Sequence, residues 1–385
     1  MLHLQRRKNV KAIRSSLLLP PNDYNFVHPP SVPCGDTEAN LLYKVALSPL
    51  QEERALRVYR ESLVILAHSH SVEPWDFEEM RESGIFAVIL KVDVDGINVL
   101  NGTPRTDVPA DEDWFSRGTR AVQRIQDLAS QEANGILIVR SVDDLDRSKR
   151  EGKVGIILSF EGTRPLCGKL ENVKHYYDLG LRELQLWWAV PNETKTPDQL
   201  ELNAFGLDVV RELNRLGIVI DLSHITGKAF AQAIATTRLP VIISHCAVNE
   251  LYEKSASNNR SFSGTDLLND ATIRAMAGNG GLICVHFVTP DYIKARHGPK
   301  ATVEDVVDHI AYIRDLVGID YIGLGPDFFS EPGWRWVEGA GQMRLLPNIA
   351  REMVRRDFAD EEIRKVLSRN LVRVFEANWA DRQRG

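Results

Sequence analysis

Cysteine is scarce in this sequence: four in 385 residues, Cys34, Cys167, Cys246 and Cys284, far apart and with no C-x-x-C spacing among them. That speaks against a disulfide framework and favours free thiols in a reducing compartment. Long apolar runs are missing too. No window approaches the roughly 18 apolar residues needed to span a bilayer. Leu17-Leu18-Leu19 follows a basic stretch (Arg6, Arg7, Lys8, Lys11, Arg14) but breaks at Pro20-Pro21, too short for a signal-peptide core. The polar end Asp381-Arg382-Gln383-Arg384-Gly385 argues against a lipid-anchor signal. The expectation is a soluble cytoplasmic protein with no membrane partner. A positive surplus is also absent: 47 basic against 53 acidic residues give a net charge of −6, and the basic residues are scattered. No nucleic-acid partner is expected. No G-x-G-x-x-G follows a strand-like run, so a dinucleotide is not indicated. Internal repeats are lacking as well.

What is present is the material of a full core, 43% apolar and 26% charged residues. The length fits two average domains or one large (β/α)₈ barrel with insertions. Residues 1–50, punctuated by Pro20, Pro21, Pro29, Pro30 and Pro33, read as an N-terminal arm. It fits a wrapping segment and a mobile tail equally. From there to 385 short apolar runs alternate with amphipathic stretches. The runs are Leu63–His68, Ile85–Val92, Val154–Phe160, Glu183–Trp188, Gly217–Ser223, Val241–His245, Leu282–Phe287 and Tyr321–Gly325. Helices are expected at Asp111–Gln131, Glu171–Leu179, Leu207–Leu216, Gly227–Thr236, Asp266–Ala277, Thr302–Val317, Leu346–Arg355 and Asp360–Glu376. Thr302-Val303-Glu304-Asp305 resembles a capping box, and Gly180, Gly217 and Gly318 stand where helices should stop. Eight such alternations predict an α/β fold, a (β/α)₈ TIM-type barrel with its site at the C-terminal ends of the strands.

Reading those strand ends in order yields a set of metal-binding side chains. The first run ends in His68-Ser69-His70, the third in Phe160-Glu161-Gly162, the fifth in Asp221-Leu222-Ser223-His224, the sixth in Ser244-His245 and the eighth in Gly325-Pro326-Asp327. Residues i and i+2 of a strand share a face, so His68 and His70 can aim at one point. Taken alone the pair fits two readings equally, ligands or loop histidines that touch nothing. His245 alone reads as a core histidine, Glu161 as a turn residue, Asp221 and His224 as helix caps, Asp327 as a turn former. Their coincidence at successive strand ends favours a site for one or two divalent metals such as zinc.

These motifs resemble those of the membrane (renal-type) dipeptidase family of zinc peptidases, within the amidohydrolase-like barrels. The resemblance rests on Ser159-Phe160-Glu161-Gly162, Ile220-Asp221-Leu222-Ser223-His224, Val241-Ile242-Ile243-Ser244-His245 and Gly323-Leu324-Gly325-Pro326-Asp327-Phe328, and runs from about residue 50 to 378. It implies that Glu161 bridges two metals, with His68 and His70 on one and His224 and His245 on the other. A hydroxide between the metals would be the nucleophile, and Asp327 would act as general base then acid. Arg260 falls near the family's arginine that clamps the substrate carboxylate, and it fits a solvated loop arginine equally well. The substrate implied is a small carboxylate-bearing amide such as a dipeptide. The resemblance and the arm also make a homodimer the expected assembly.

Two departures stand out. The family has His-x-Asp at the first strand, where this chain has His68-Ser69-His70, and Leu66 replaces an aspartate two residues earlier. The family also places a histidine after strand four that meets the substrate carbonyl. Here Leu186-Trp187-Trp188-Ala189 occupies that place, with Trp188 at or near the histidine position. Trp187, Trp188, Trp334 and Trp336 could wall an apolar pocket. His286 could reach the site from strand seven, although a core histidine paired to backbone fits it slightly better. The departures leave three expectations: a dipeptidase-like amidohydrolase, a specialised member with other amide, isomerisation or decarboxylation chemistry, or a dead barrel kept for binding.

Overall fold

The structure is a computed structural model and describes residues 43–379 apart from 96–97, 101–102, 106–112, 189–191, 197, 199, 253–266 and 330–334. Most of the arm expected at 1–50 lies outside the described residues. Eight strands form the expected barrel: β1 (Val64–Ser69), β2 (Ile85–Val94), β3 (Val154–Glu161), β4 (Glu183–Gln185), β5 (Val219–Asp221), β6 (Ile242–Val248), β7 (Leu282–Val285) and β8 (Ile322–Leu324). They pair in chain order and in parallel throughout. At the last seam Ser69 bridges Phe328 in parallel, and the His70 N–H donates to the Phe328 carbonyl at 2.8 Å. No helix among the described residues is long and apolar enough to cross a membrane.

The helices are α1 (Pro49–Glu61), α2 (Pro74–Glu82), α3 (Trp114–Ser130), α4 (Val142–Glu151), α5 (Glu171–Leu179), α6 (Ala204–Leu216), α7 (Gly227–Thr236), α8 (Asp270–Gly278), α9 (Val303–Val317), α10 (Pro347–Arg355), α11 (Asp360–Arg364) and α12 (Asn370–Trp379). Their ends follow local chemistry. Asn203 caps α6 by accepting from the Gly206 N–H, and Gly217 ends that helix in the left-handed region. Thr302 and Asp305 form the capping box of α9.

Several pieces differ from the sequence reading. Helices α1, α2 and α4 were not expected, nor was the short strand Ile136–Ile138. That strand pairs with the first residues of β3, while β4 pairs with β3 at its top, Glu161 opposite Gln185, above an isolated parallel bridge from Leu158 to Leu181. The seam between β3 and β4 is therefore filled from below by an inserted strand. The fourth strand is also shorter than expected and ends at Gln185, which leaves Trp188 beyond it.

Apolar residues sort into two layers. Val64, Leu66, Val88, Leu90, Ile156 and Leu158 pack outward against the helices. Ile65, Ala67, Ala87, Ile89, Ile157, Val219, Ile242 and Leu282 fill the barrel interior. Strict alternation would send His68 outward with Leu66. The register between β1 and β2 shifts between Leu66 and Ser69, a bulge that turns His68 inward. A second shift, between Ile283 and Val285 against β6, falls beside Ser244 and His245. Both irregularities lie beside the candidate site.

Candidate metal centre

Glu161 ends β3 buried, and its two carboxylate oxygens face different partners. Oε1 lies 3.2 Å from His224 Nε2, which is 3.0 Å from His245 Nε2. Oε2 lies 3.2 Å from His70 Nε2 and 3.6 Å from His68 Nε2. Those two imidazole nitrogens are 3.1 Å apart. Asp327 Oδ1 adds to the second set, 3.4 Å from His68 Nε2 and 3.3 Å from His70 Nε2. Ligands held about 2.0–2.1 Å from one ion lie about 3 Å from one another, so this spacing is that of coordination spheres. Groups able to hold an ion include His68 with His70 and Asp327, and His68 with Glu161 and His245.

The donor set fits a divalent cation. Asp327 Oδ1 is buried and has no hydrogen-bond partner among the described residues, although two imidazole nitrogens face it. A buried carboxylate oxygen left so is costly unless a cation completes it. The local electrostatics agree. Burial alone would raise the carboxyls of Glu161 and Asp327, but the surrounding histidines outweigh it and hold both well below the usual carboxylate range. Burial depresses His68 and His245. It works against protonated His70 too, but the facing carboxylates of Asp327 and Glu161 outweigh it and push His70 up to about 10. Without a cation, the two carboxylates recruit a proton onto His70.

Backbone geometry sets two of these side chains. His224 and Asp327 both sit in the left-handed region, at φ 64° and 58°. Residues other than glycine occupy it at a cost of about 1–2 kcal/mol. At Gly325 a Cβ would fall 1.7 Å from the Ser244 carbonyl oxygen, so only glycine lets the end of β8 pass there.

Partners behind the site were not singled out from the sequence. Gln185 donates to Glu161 Oε1 at 3.0 Å. Lys91, inside the barrel, donates to Asp221 Oδ2 at 2.9 Å and to Glu183 at 3.0 and 3.1 Å. The one signal for it was a lysine within an otherwise apolar run. Burial pushes Glu183 up to about 8 even against the neighbouring ammonium.

Of the other expected site residues, His286 lies 3.5 Å through Nε2 from Asp327 Oδ2, while its Nδ1 accepts from the Phe287 and Val288 N–H groups at 2.9 and 3.0 Å. His286 is thus paired to backbone through Nδ1 while its Nε2 faces Asp327. Trp188 is buried but belongs to neither apolar layer. Trp187 packs in the outer layer and donates its indole N–H to Thr194 Oγ1 at 3.0 Å. On the β8 side Phe329 stacks edge-on between His70 and Trp336, at centroid distances of 6.1 and 5.2 Å. Arg260 and Trp334 lie outside the described residues.

Fold and side chains together define a (β/α)₈ barrel with a candidate metal centre at its C-terminal mouth. Residues 66–384 match the membrane dipeptidase family, peptidase family M19, and the chain belongs to that family. Dipeptidase tcpJ of Claviceps purpurea (strain 20.1) is 29% identical over 260 residues, 66% of this chain and 57% of that protein. Dipeptidase 3 of Rattus norvegicus is 30% identical over 251 residues, 62% of this chain and 47% of that protein. The matched stretch thus spans about half the length of these relatives. Among solved structures, an amidohydrolase from Pseudomonas aeruginosa superposes with a TM-score of 0.72 at 24% identity, covering 85% of this chain and 99% of that one. A metallo peptidase from Rhodobacter sphaeroides, liganded with a phosphinate mimic of the dipeptide L-Ala-D-Ala, gives 0.67 at 20% identity, covering 83% and 100%.

Proposed function

We propose that this protein is a metal-dependent amidohydrolase of the dipeptidase type, cleaving an amide bond in a small carboxylate-bearing molecule. The observation that carries the reading is the meeting of four histidines, Glu161 and Asp327 from five strand ends, with a buried Asp327 oxygen that lacks a hydrogen-bond partner among the described residues. His68 and His70 would hold one divalent ion, zinc or a similar metal, with Glu161 Oε2. His224 and His245 would hold a second with Glu161 Oε1. Such ions, when bound, polarise the scissile carbonyl and lower the pKa of water to near neutrality.

The protein's own groups do the rest. Asp327 takes the proton of the attacking water and returns it to the leaving nitrogen. Its carboxyl is held ionised at neutral pH, as a base must be. His286 has its Nδ1 engaged by backbone N–H groups, so its proton resides on Nε2 and faces Asp327. Trp188 walls the substrate, and Arg260 is assigned to the substrate carboxylate.

A second reading is favoured by two residues, His70 in place of the family's carboxylate and Trp188 in place of its histidine. A specialised member would keep the metals but act on a non-peptide amide, or run an isomerisation or decarboxylation. Metal analysis of the purified protein with assays on dipeptides and N-acyl amino acids tests both. At least one tightly bound divalent metal per chain with dipeptide turnover is the expected result. Metal without turnover on any dipeptide selects the second reading, and absence of metal overturns both.

A further inference from the structure

Beneath the histidines lies a buried polar chain that the amide cleavage itself does not use. The Ser244 hydroxyl contacts four side-chain atoms: His68 Nδ1 at 2.8 Å, His245 Nδ1 at 3.1 Å, Asp221 Oδ2 at 2.5 Å and Ser223 Oγ at 3.1 Å. His68, Ser244, Asp221 and Lys91 are all at most 2% exposed. A hydroxyl has one proton to give and two lone pairs to offer, so the direction of each contact can be worked out.

Asp221 fixes the first direction. Its Oδ2 receives Lys91 Nζ at 2.9 Å. Its Oδ1 receives the Ser223 hydroxyl at 2.7 Å and the backbone N–H groups of Ser223 and Ser244 at 2.9 and 3.1 Å. A carboxylate surrounded by donors and paired to an ammonium carries no proton, so the Ser244 proton goes to Asp221. The Ser223 proton is already spent on Oδ1. Ser244 can then only accept from the two imidazoles, and both Nδ1 atoms must be N–H. A neutral imidazole with its proton on Nδ1 leaves Nε2 bare. Those bare nitrogens are the ones at the metal centre: His68 Nε2 faces His70, and His245 Nε2 faces His224.

We propose that Ser244 is a positioning residue shared by both metal pockets, one hydroxyl fixing the tautomer and ring orientation of His68 and His245, with Lys91 and Asp221 setting its polarity. The two pockets then share an outer anchor as well as the bridging Glu161. A metal-binding histidine generally donates its second nitrogen to a partner of its own. Here one partner serves two histidines, from β1 and β6. This rests on the reading of His68 and His245 as ligands.

The test is metal affinity of the stripped full-length protein, by competition with a chromophoric chelator for zinc and for cobalt(II), in wild type, Ser244→Ala and Ser244→Thr. The alanine variant should bind about 10–100-fold more weakly, the usual effect of losing such a partner. The threonine variant keeps the hydroxyl and should return close to the wild-type affinity. Nitrogen-15 NMR of the stripped wild type should show the Nδ1–H tautomer at His68 and His245, and this decides the matter if Ser244→Ala does not fold. A folded Ser244→Ala protein with wild-type affinity, or an Nε2–H tautomer at either histidine, overturns the proposal and leaves the ligand assignment standing. A wild type that binds no metal overturns both.

Discussion

His224 and Asp327 hold left-handed backbone at φ 64° and 58°, and both aim at the candidate metal centre. The strain is tolerated because neighbouring structure fixes it, and it delivers the side chains to their places. Asparagine accepts this conformation and matches aspartate in size. Asp327→Asn should therefore leave the melting temperature within a few degrees of wild type while kcat on the best substrate falls by about 10²–10⁴. Activity retained to within about tenfold would remove Asp327 from its proposed role as base. His70 makes a second residue-scale prediction. Its folded pKa of about 10 lies above the ordinary 6.5. The stability it contributes to the metal-free protein is fully present below pH 6.5 and is lost as pH rises through about 10. Melting of chelator-treated wild type and His70→Gln should differ most near pH 6.5 and converge by pH 10. A constant difference would show that the carboxylates do not hold a proton on His70.

At the scale of elements, the barrel was legible because its strands are apolar runs and its helices carry caps. Glu171–Leu179 and Gly227–Thr236 match the sequence expectation residue for residue. Helix α2 escaped because nine residues bury only Asp76, Phe77 and Met80, too few to show a period. The strand Ile136–Ile138 is three residues long and pairs only with the foot of β3. The site was legible as a list of strand ends but not as geometry. Alternation alone would have sent His68 outward, and only the bulge in β1 turns it in. Lys91 carried no motif and Ser244 stood in one only as the neighbour of His245, because their role depends on contacts between β1, β2, β5 and β6. Gly325 tests the closeness of those elements. Gly325→Ala puts a methyl 1.7 Å from the Ser244 carbonyl oxygen, which neither backbone can yield easily. It should cost about 4 kcal/mol or more by urea unfolding, or prevent soluble expression. Gly278→Ala meets open space at the end of α8 and should be neutral or stabilising by up to about 1 kcal/mol. Equal effects for the two would refute the crowded approach of β8 to β6.

Over the whole molecule, two devices join segments distant in sequence. Helix α1 buries Ala55, Val58 and Tyr59 and is pinned to the last helices by charge. Arg351 grips Glu52 at 2.6 and 2.9 Å, Arg54 and Arg57 reach Asp360 at 2.6 and 2.8 Å, and Arg364 reaches Glu61 at 2.8 Å. The other device is the proposed metal centre, which would tie β1, β3, β5, β6 and β8 across the mouth. An ion bound only by the folded state stabilises it by mass action, about 4.1 kcal/mol at a thousand times the dissociation constant. A chain of this length has a large unfolding entropy, so each kcal/mol moves the melting temperature by only one or two degrees. Chelation should therefore lower the melting temperature by about 4–8 °C, reversibly, and added zinc should restore it in proportion to the logarithm of its concentration. The Ser244→Ala protein should show a smaller gain at the same zinc concentration, because its dissociation constant is larger. A melting temperature indifferent to chelator and zinc in a protein that contains metal would mean that the ion does not bridge these strands, and the reading of Glu161 as their common ligand would fall.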